Sequence, residues 1–146
     1  MRFTDEILIA APTDVVWQLT VDVEAWPELT PTITSVHRLD AGELQVGSQA
    51  RIVQPRQRPA VWTVTELDAG RRFAWATTVL GITMTGTHVL EPTDDGGTRN
   101  TLLLDLAGRG SGLFGRVVGG AMRQAIHTEN QGFRRRAEEF VAGDRA

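Results

Sequence analysis

Two titratable side chains sit in apolar patterns that have no evident use for a charge. His88 lies in GTHVLEP, where Ile82, Met84, Gly86, His88 and Leu90 share one parity against Thr83, Thr85, Thr87 and Val89. Glu129 lies in AMRQAIHTENQGF. At about 100° per residue it falls amid Val118, Met122, Ala125, Ile126, Phe133 and Phe140, with Asn130 at the edge of that stripe and His127, Arg134 and Glu138 on wetter faces. A histidine titrates near working pH and can serve as hydrogen-bond donor or general base; it can equally be a core ring bonded to a backbone carbonyl. A carboxylate in an apolar stripe must be paired, protonated or turned toward a wet cavity, because a bare buried charge costs several kcal/mol. Glu129 therefore pairs with an arginine from elsewhere, lines a cavity as acid, base or polar anchor, or is exposed by a kink.

Other chemistries are excluded by composition. There is no cysteine, so disulfides, thiolate nucleophiles and sulfur-ligated metals are absent. All 15 basic residues are arginine, which removes Schiff-base catalysis and a P-loop lysine and fits a GC-rich, bacterial genome. His37, His88 and His127 are far apart without HxxxH or HxH spacing, so no metal site is expected, and no GxSxG supports a nucleophilic serine. The net charge of −3 gives no basic field for nucleic acid. No apolar run approaches the roughly 20 residues of a membrane span, and the N-terminus carries acids where a signal peptide is basic, so a cytoplasmic protein is expected.

The elements that must position His88 and Glu129 follow from periodicity. Residues 2 to 10 alternate Phe3, Asp5, Ile7 and Ile9 against Thr4, Glu6 and Leu8, a first strand. Pro12, Thr13 and Asp14 open a short helix, and Pro27 and Pro31 leave room for only one more before the chain extends. Strands are expected at 32–39, 48–54, 60–67, 72–79, 82–91 and 98–107, joined by short glycine turns that make antiparallel neighbours. A helix over 112–142 closes the chain. Gly119-Gly120 should bend or break it near its start, as a mobile gate over the cavity mouth, or else let another backbone approach or serve simple close packing. If the 82–91/98–107 hairpin closes at DDGG, His88 shares the inward side with Leu90, Leu102, Leu104 and Leu106.

The expected fold is thus α+β: a single domain over 1–146, a seven-stranded curved antiparallel sheet wrapped around a long C-terminal helix, with two short helices between strands 1 and 2. One helix cannot fill so curved a sheet, which leaves an internal cavity. Trp62 and Trp75 have inward parity, as core filling or as flat walls for a planar ligand, and Trp26 lies where it could plug the cavity mouth or anchor its loop.

The stretches APTDVVW (11–17), WPELTP (26–31), VWTVTELDAGRRFAW (61–75) and TMTGTHVLEPTDDGGTR (83–99) resemble the polyketide cyclase/dehydrase family of the START-like, helix-grip (SRPBCC) superfamily. The resemblance runs from about residue 3 to 140. It implies a hydrophobic small-molecule cavity between sheet and last helix, and no obligatory cofactor. Aromatase/cyclases of that family position their chain with an inward arginine, for which Arg51, Arg56 and Arg58 are candidates. They also use cavity tyrosines, and this chain has none. The expected site comprises Trp26, Arg51, Trp62, Trp75, Met84, His88, Leu104, Met122, Ile126 and Glu129, with His88 and Glu129 as the catalytic candidates. Three functions are open: binding of a lipid- or polyketide-like molecule, acid–base cyclisation or dehydration, and a regulatory or protein-interaction role. The chain is expected to be a monomer or homodimer.

Overall fold

A computed structural model describes residues 1–145. Strand β1 (Arg2–Ile9) buries Phe3 and Ile9 and exposes Leu8, as its alternation requires. Helix α1 (Thr13–Val21) starts after Pro12, places Asp14 in its first turn and buries Val16, Trp17 and Thr20. A single 3₁₀ turn (Val23–Ala25) leads into α2 (Trp26–Leu29), where Pro27 occupies a position that needs no backbone donor. The next strand is shorter than the alternation predicts. β2 spans only Ser35–Arg38, because the Thr30 hydroxyl accepts from the Thr32 amide and sits 2.9 Å from the Thr32 hydroxyl, holding that segment in a turn.

Strands β3 (Gln49–Val53), β4 (Ala60–Asp68), β5 (Arg72–Val79), β6 (Ile82–Pro92) and β7 (Thr98–Ala107) complete the sheet. All neighbours are antiparallel, in the order β1-β7-β6-β5-β4-β3-β2. The register sets the inward rows. His88 lies opposite Phe73 on one side and Leu102 on the other, and Gly86 lies between Trp75 and Leu104. A bulge between Val64 and Glu66 shifts β4 against β5, so that Val64 pairs Trp75 while Leu67 pairs Phe73.

Helix α3 (Ser111–Arg145) packs mainly on β1 and β7. It is unbroken through Gly119-Gly120, contrary to the expected break. Gly119 lies against the Phe3 ring, where an added Cβ would stand 3.2 Å from Cε1, so close packing explains it. The fully buried face runs through Gly115, Gly119, Ile126, Asn130, Phe133 and Ala137. Phe140 departs from the expectation: it is 60% exposed, beyond the part of the helix that packs. Asn130 departs in the other direction. Completely buried, it accepts from Asn100 Nδ2 at 2.8 Å and donates to the Asp5 carboxylate at 2.8 Å. Asp5 also holds His127 Nδ1 at 2.9 Å. These polar links fix the rotation of α3 about its axis and so decide which flank faces the rest of the sheet. Gly132 seats α2 on α3, for a Cβ there would strike the Leu29 carbonyl oxygen.

Candidate functional site

The apolar interior is divided in two. One cluster gathers Trp26, Ile33, Ile52, Trp62, Val64, Phe73, Trp75 and Phe133; a second joins Phe3, Leu102, Leu106 and Ile126. A pocket of about 380 Å³ lies between them, lined by residues of both. The sheet supplies Trp62, Trp75, Met84, His88 and Leu104; α3 supplies Met122, Ile126 and Glu129; α2 supplies Trp26. The expected residues are therefore brought to one place, with a single exception. Arg51 is exposed on the outer face of β3, because Ala50 and Ile52 take the inward positions. Arg56 and Arg58 are exposed in the β3–β4 loop. Among the described residues no arginine lines the pocket.

His88 stands at the junction of walls. Its ring centroid lies 5.1 Å from that of Trp26, 5.4 Å from Phe133 and 5.7 Å from Phe73. Among the described residues its buried Nδ1 has no hydrogen-bond partner, so the backbone-carbonyl bond expected of a core histidine is not made at that nitrogen. Desolvation pushes its pKa down from 6.5 to about 3, and the ring is neutral at ordinary pH.

Glu129 occupies the flank of α3 turned away from β1, one turn from Ala125, Ile126 and Phe133. Among the described residues it forms no ion pair. Its residue surface is half-buried, and it borders the pocket. Enclosure of the carboxyl raises its pKa from 4.5 to about 7 through desolvation. Glu138, expected on the wet face, is half-buried instead: its carboxylate accepts from the Ala10 amide at 3.0 Å and pairs with Arg134 at 3.3 Å.

Trp26 is both anchor and wall. Its indole N–H donates to the Leu19 carbonyl at 3.1 Å, tying α2 to α1, and its ring lies 5.0 Å from Trp75 at a steep angle. Trp62 and Trp75 sit 5.9 Å apart over Gly86, where an added Cβ would meet them at ordinary contact, 3.7 to 3.9 Å. Gly86 leaves the space between the indoles open. Sequence reasoning missed Gln54 and Gln57, which border the pocket from the β3–β4 loop and carry no periodic signal. It passed over Gly86 as well, although its parity with His88 was visible.

The model of the family described as "Polyketide cyclase / dehydrase and lipid transport" matches residues 1–138. The chain belongs to that family. Two curated relatives are 38% identical: a candidate polyketide cyclase of Streptomyces cyaneus over 68 residues, and another of Streptomyces halstedii over 71. Each match covers 46% of this chain, and 44% and 62% of the respective relative. Among solved structures, the Zhui aromatase/cyclase of Streptomyces sp. R1128 superposes with a TM-score of 0.78 at 21% identity, over 97% of this chain and 95% of that one. A START superfamily protein of Mycobacterium smegmatis gives 0.75 at 15%, over 95% and 98%. A hypothetical protein of Helicobacter pylori gives 0.82 at 14%, over 94% and 88%. These likenesses establish a START-like fold for this member of the polyketide cyclase/dehydrase family. No helix among the described residues is long and apolar enough to cross a membrane.

Proposed function

We propose that this family member binds an apolar, partly planar small molecule of lipid- or polyketide-like character in the pocket between its two core clusters. One observation carries the reading: a largely apolar pocket is bordered by His88, whose buried Nδ1 has no partner among the described residues, and by the half-buried Glu129, which forms no ion pair among them. Unmatched polar atoms of this kind cost about 1–3 kcal/mol each unless something else satisfies them. A ligand with one or two polar atoms on a hydrophobic frame would do so, its rings lying along Trp62 and Trp75.

Native mass spectrometry of the purified protein tests this, with Gly86→Leu as the matched control. A leucine at 86 projects between the two indoles and fills ligand space without disturbing the backbone, since a Cβ there is accommodated. A co-purifying apolar molecule should be present in the wild type and absent from Gly86→Leu. Equal ligand content in both would place binding elsewhere.

Catalysis of cyclisation or dehydration is the second reading, favoured by Glu129 and by the aromatase/cyclase among the structural relatives. Here magnitudes divide the roles. A group titrating near 7 is matched to proton transfer at neutral pH, whereas one held near 3 is a feeble base. Glu129 is then the acid–base residue. Neutral His88 positions the substrate by hydrogen bonding. Turnover of a poly-β-keto substrate by the wild type that is lost in Glu129→Gln, with ligand still bound, would establish the enzyme.

A further inference from the structure

Charge and exposed apolar surface are unevenly spread along the axis of the sheet. The antiparallel register puts three connections at one end: the β3–β4 loop, the β5–β6 turn and the β7–α3 loop. They surround the end of the pocket bordered by Gln54, Gln57, Phe114 and Val118. Gly108 locks two of these connections together, since a Cβ there would strike the Gly81 carbonyl oxygen.

This end carries large apolar side chains that are exposed among the described residues. Leu80, at the tip of the β5–β6 turn, is 96% exposed, and its φ of +52° is one a leucine seldom adopts. Leu113 and Val117, one turn apart on the outer face of α3, are 70% and 77% exposed. Around them stand Arg56, Arg58, Arg109 and Arg116, all exposed and, among the described residues, without an ion pair. The carboxylate nearest this end of the sheet, Asp105, is already held by Arg2 at 2.7 Å. No acid occurs between residues 106 and 128 or between 44 and 65. At the opposite end arginines are neutralised instead, Arg38 by Asp40 and Arg71 by Asp68. This end thus combines four exposed arginines that form no ion pair among the described residues with the three most exposed large apolar side chains among them, Leu80, Leu113 and Val117.

We propose that this end docks on an anionic lipid bilayer surface, with Leu80, Leu113 and Val117 entering below the headgroups and Arg56, Arg58, Arg109 and Arg116 meeting the lipid phosphates. The apolar groups protrude on a hairpin tip and a helix shoulder. A fluid interface moulds around such convex points, whereas a folded protein partner would need pockets matching each of them. Arginine is suited to phosphate through its planar set of donors. Docking in this orientation turns the pocket mouth toward the membrane, the side from which a hydrophobic ligand would arrive. The docking itself does not depend on what the pocket holds.

Cosedimentation with phosphatidylcholine vesicles, with and without phosphatidylglycerol, tests the proposal on the intact protein. Binding should require phosphatidylglycerol and weaken as salt rises. Arg109→Gln and Arg116→Gln should each reduce it about fivefold, and Leu80→Ser about tenfold or more. Leu39→Ser, which removes an exposed leucine from the opposite end, should leave it unchanged. Thermal midpoints report that each variant is folded. No binding to anionic vesicles, or binding indifferent to Leu80→Ser and to the arginine substitutions, would overturn the proposal. Salt-sensitive capture of the protein by an acidic protein, with the vesicles left unbound, would overturn it as well.

Discussion

Replacing Glu129 by glutamine should change the stability of this protein in a way that depends on pH and on little else. Glutamine has the shape of the protonated carboxyl and no charge. At pH 4.5 the two side chains are both largely neutral in the folded state, and the variant should differ little from the wild type. In the folded protein the carboxyl titrates near 7 and in the unfolded chain near 4.5, so between those values the native state holds a proton that the unfolded state has released. Wild-type stability due to this group is therefore greatest in acid and falls as pH rises to about 7. The shift corresponds to at most about 3 kcal/mol, reduced toward 1 kcal/mol by any water reaching the pocket wall. Glu129→Gln escapes that loss. Its advantage over the wild type should grow from near zero at pH 4.5 to about 1–3 kcal/mol at pH 8. His88 acts in the opposite sense, its depressed pKa removing stability as pH falls from 6.5 toward 3, but it does so equally in both proteins and cancels in their difference. Urea unfolding of the pair at a series of pH values reads the difference directly. A constant difference across the series would mean that the carboxyl is solvated or paired, and the assignment of Glu129 as an isolated pocket acid would fall.

Three further substitutions probe the surroundings. Gly132→Ala should destabilise the protein and displace α2, because the new methyl group meets the Leu29 carbonyl oxygen; a red-shifted tryptophan emission from Trp26 would report the movement, and an unchanged melting temperature would contradict it. Glu129→Leu and Glu138→Leu should separate site from scaffold. The first stabilises the fold at pH 8 and alters the ligand content seen by native mass spectrometry, whereas the second costs about 1 kcal/mol through the unpaired Ala10 amide and leaves ligand content alone. Equal effects on ligand content would dissolve that distinction.

The inward rows of the sheet were legible because a period of two leaves no choice once one face is buried. His88, Leu90, Trp62 and Trp75 share the pocket side for that reason, and the same rule applied to Ala50, Arg51 and Ile52 would have placed Arg51 outside. Short glycine turns announced the meander, and its order across the sheet follows from them. What periodicity could not convey was the rotation of α3. Hydrophobicity alone centres its stripe near Glu129, but the helix is held by an asparagine: Asn130, bonded to Asn100 and Asp5, takes the place against the sheet. That rotation carries Glu129 onto the flank, against the pocket and away from the core. Asp5 shares the parity of Phe3 and Ile9 in β1 and Asn130 lies at the edge of the stripe, yet neither pattern reveals that two polar residues so far apart in sequence complete one another. The break expected at Gly119-Gly120 failed for a related reason. Helix propensity counts what glycine costs an isolated helix, whereas here Gly119 admits the Phe3 ring and the contact offsets that cost. Satisfied polar groups and close contacts thus account for the departures from local rules at Asn130 and Gly119. At His88 Nδ1 and at the Glu129 carboxyl no partner within the described chain does so, and both residues border the pocket between the two core clusters.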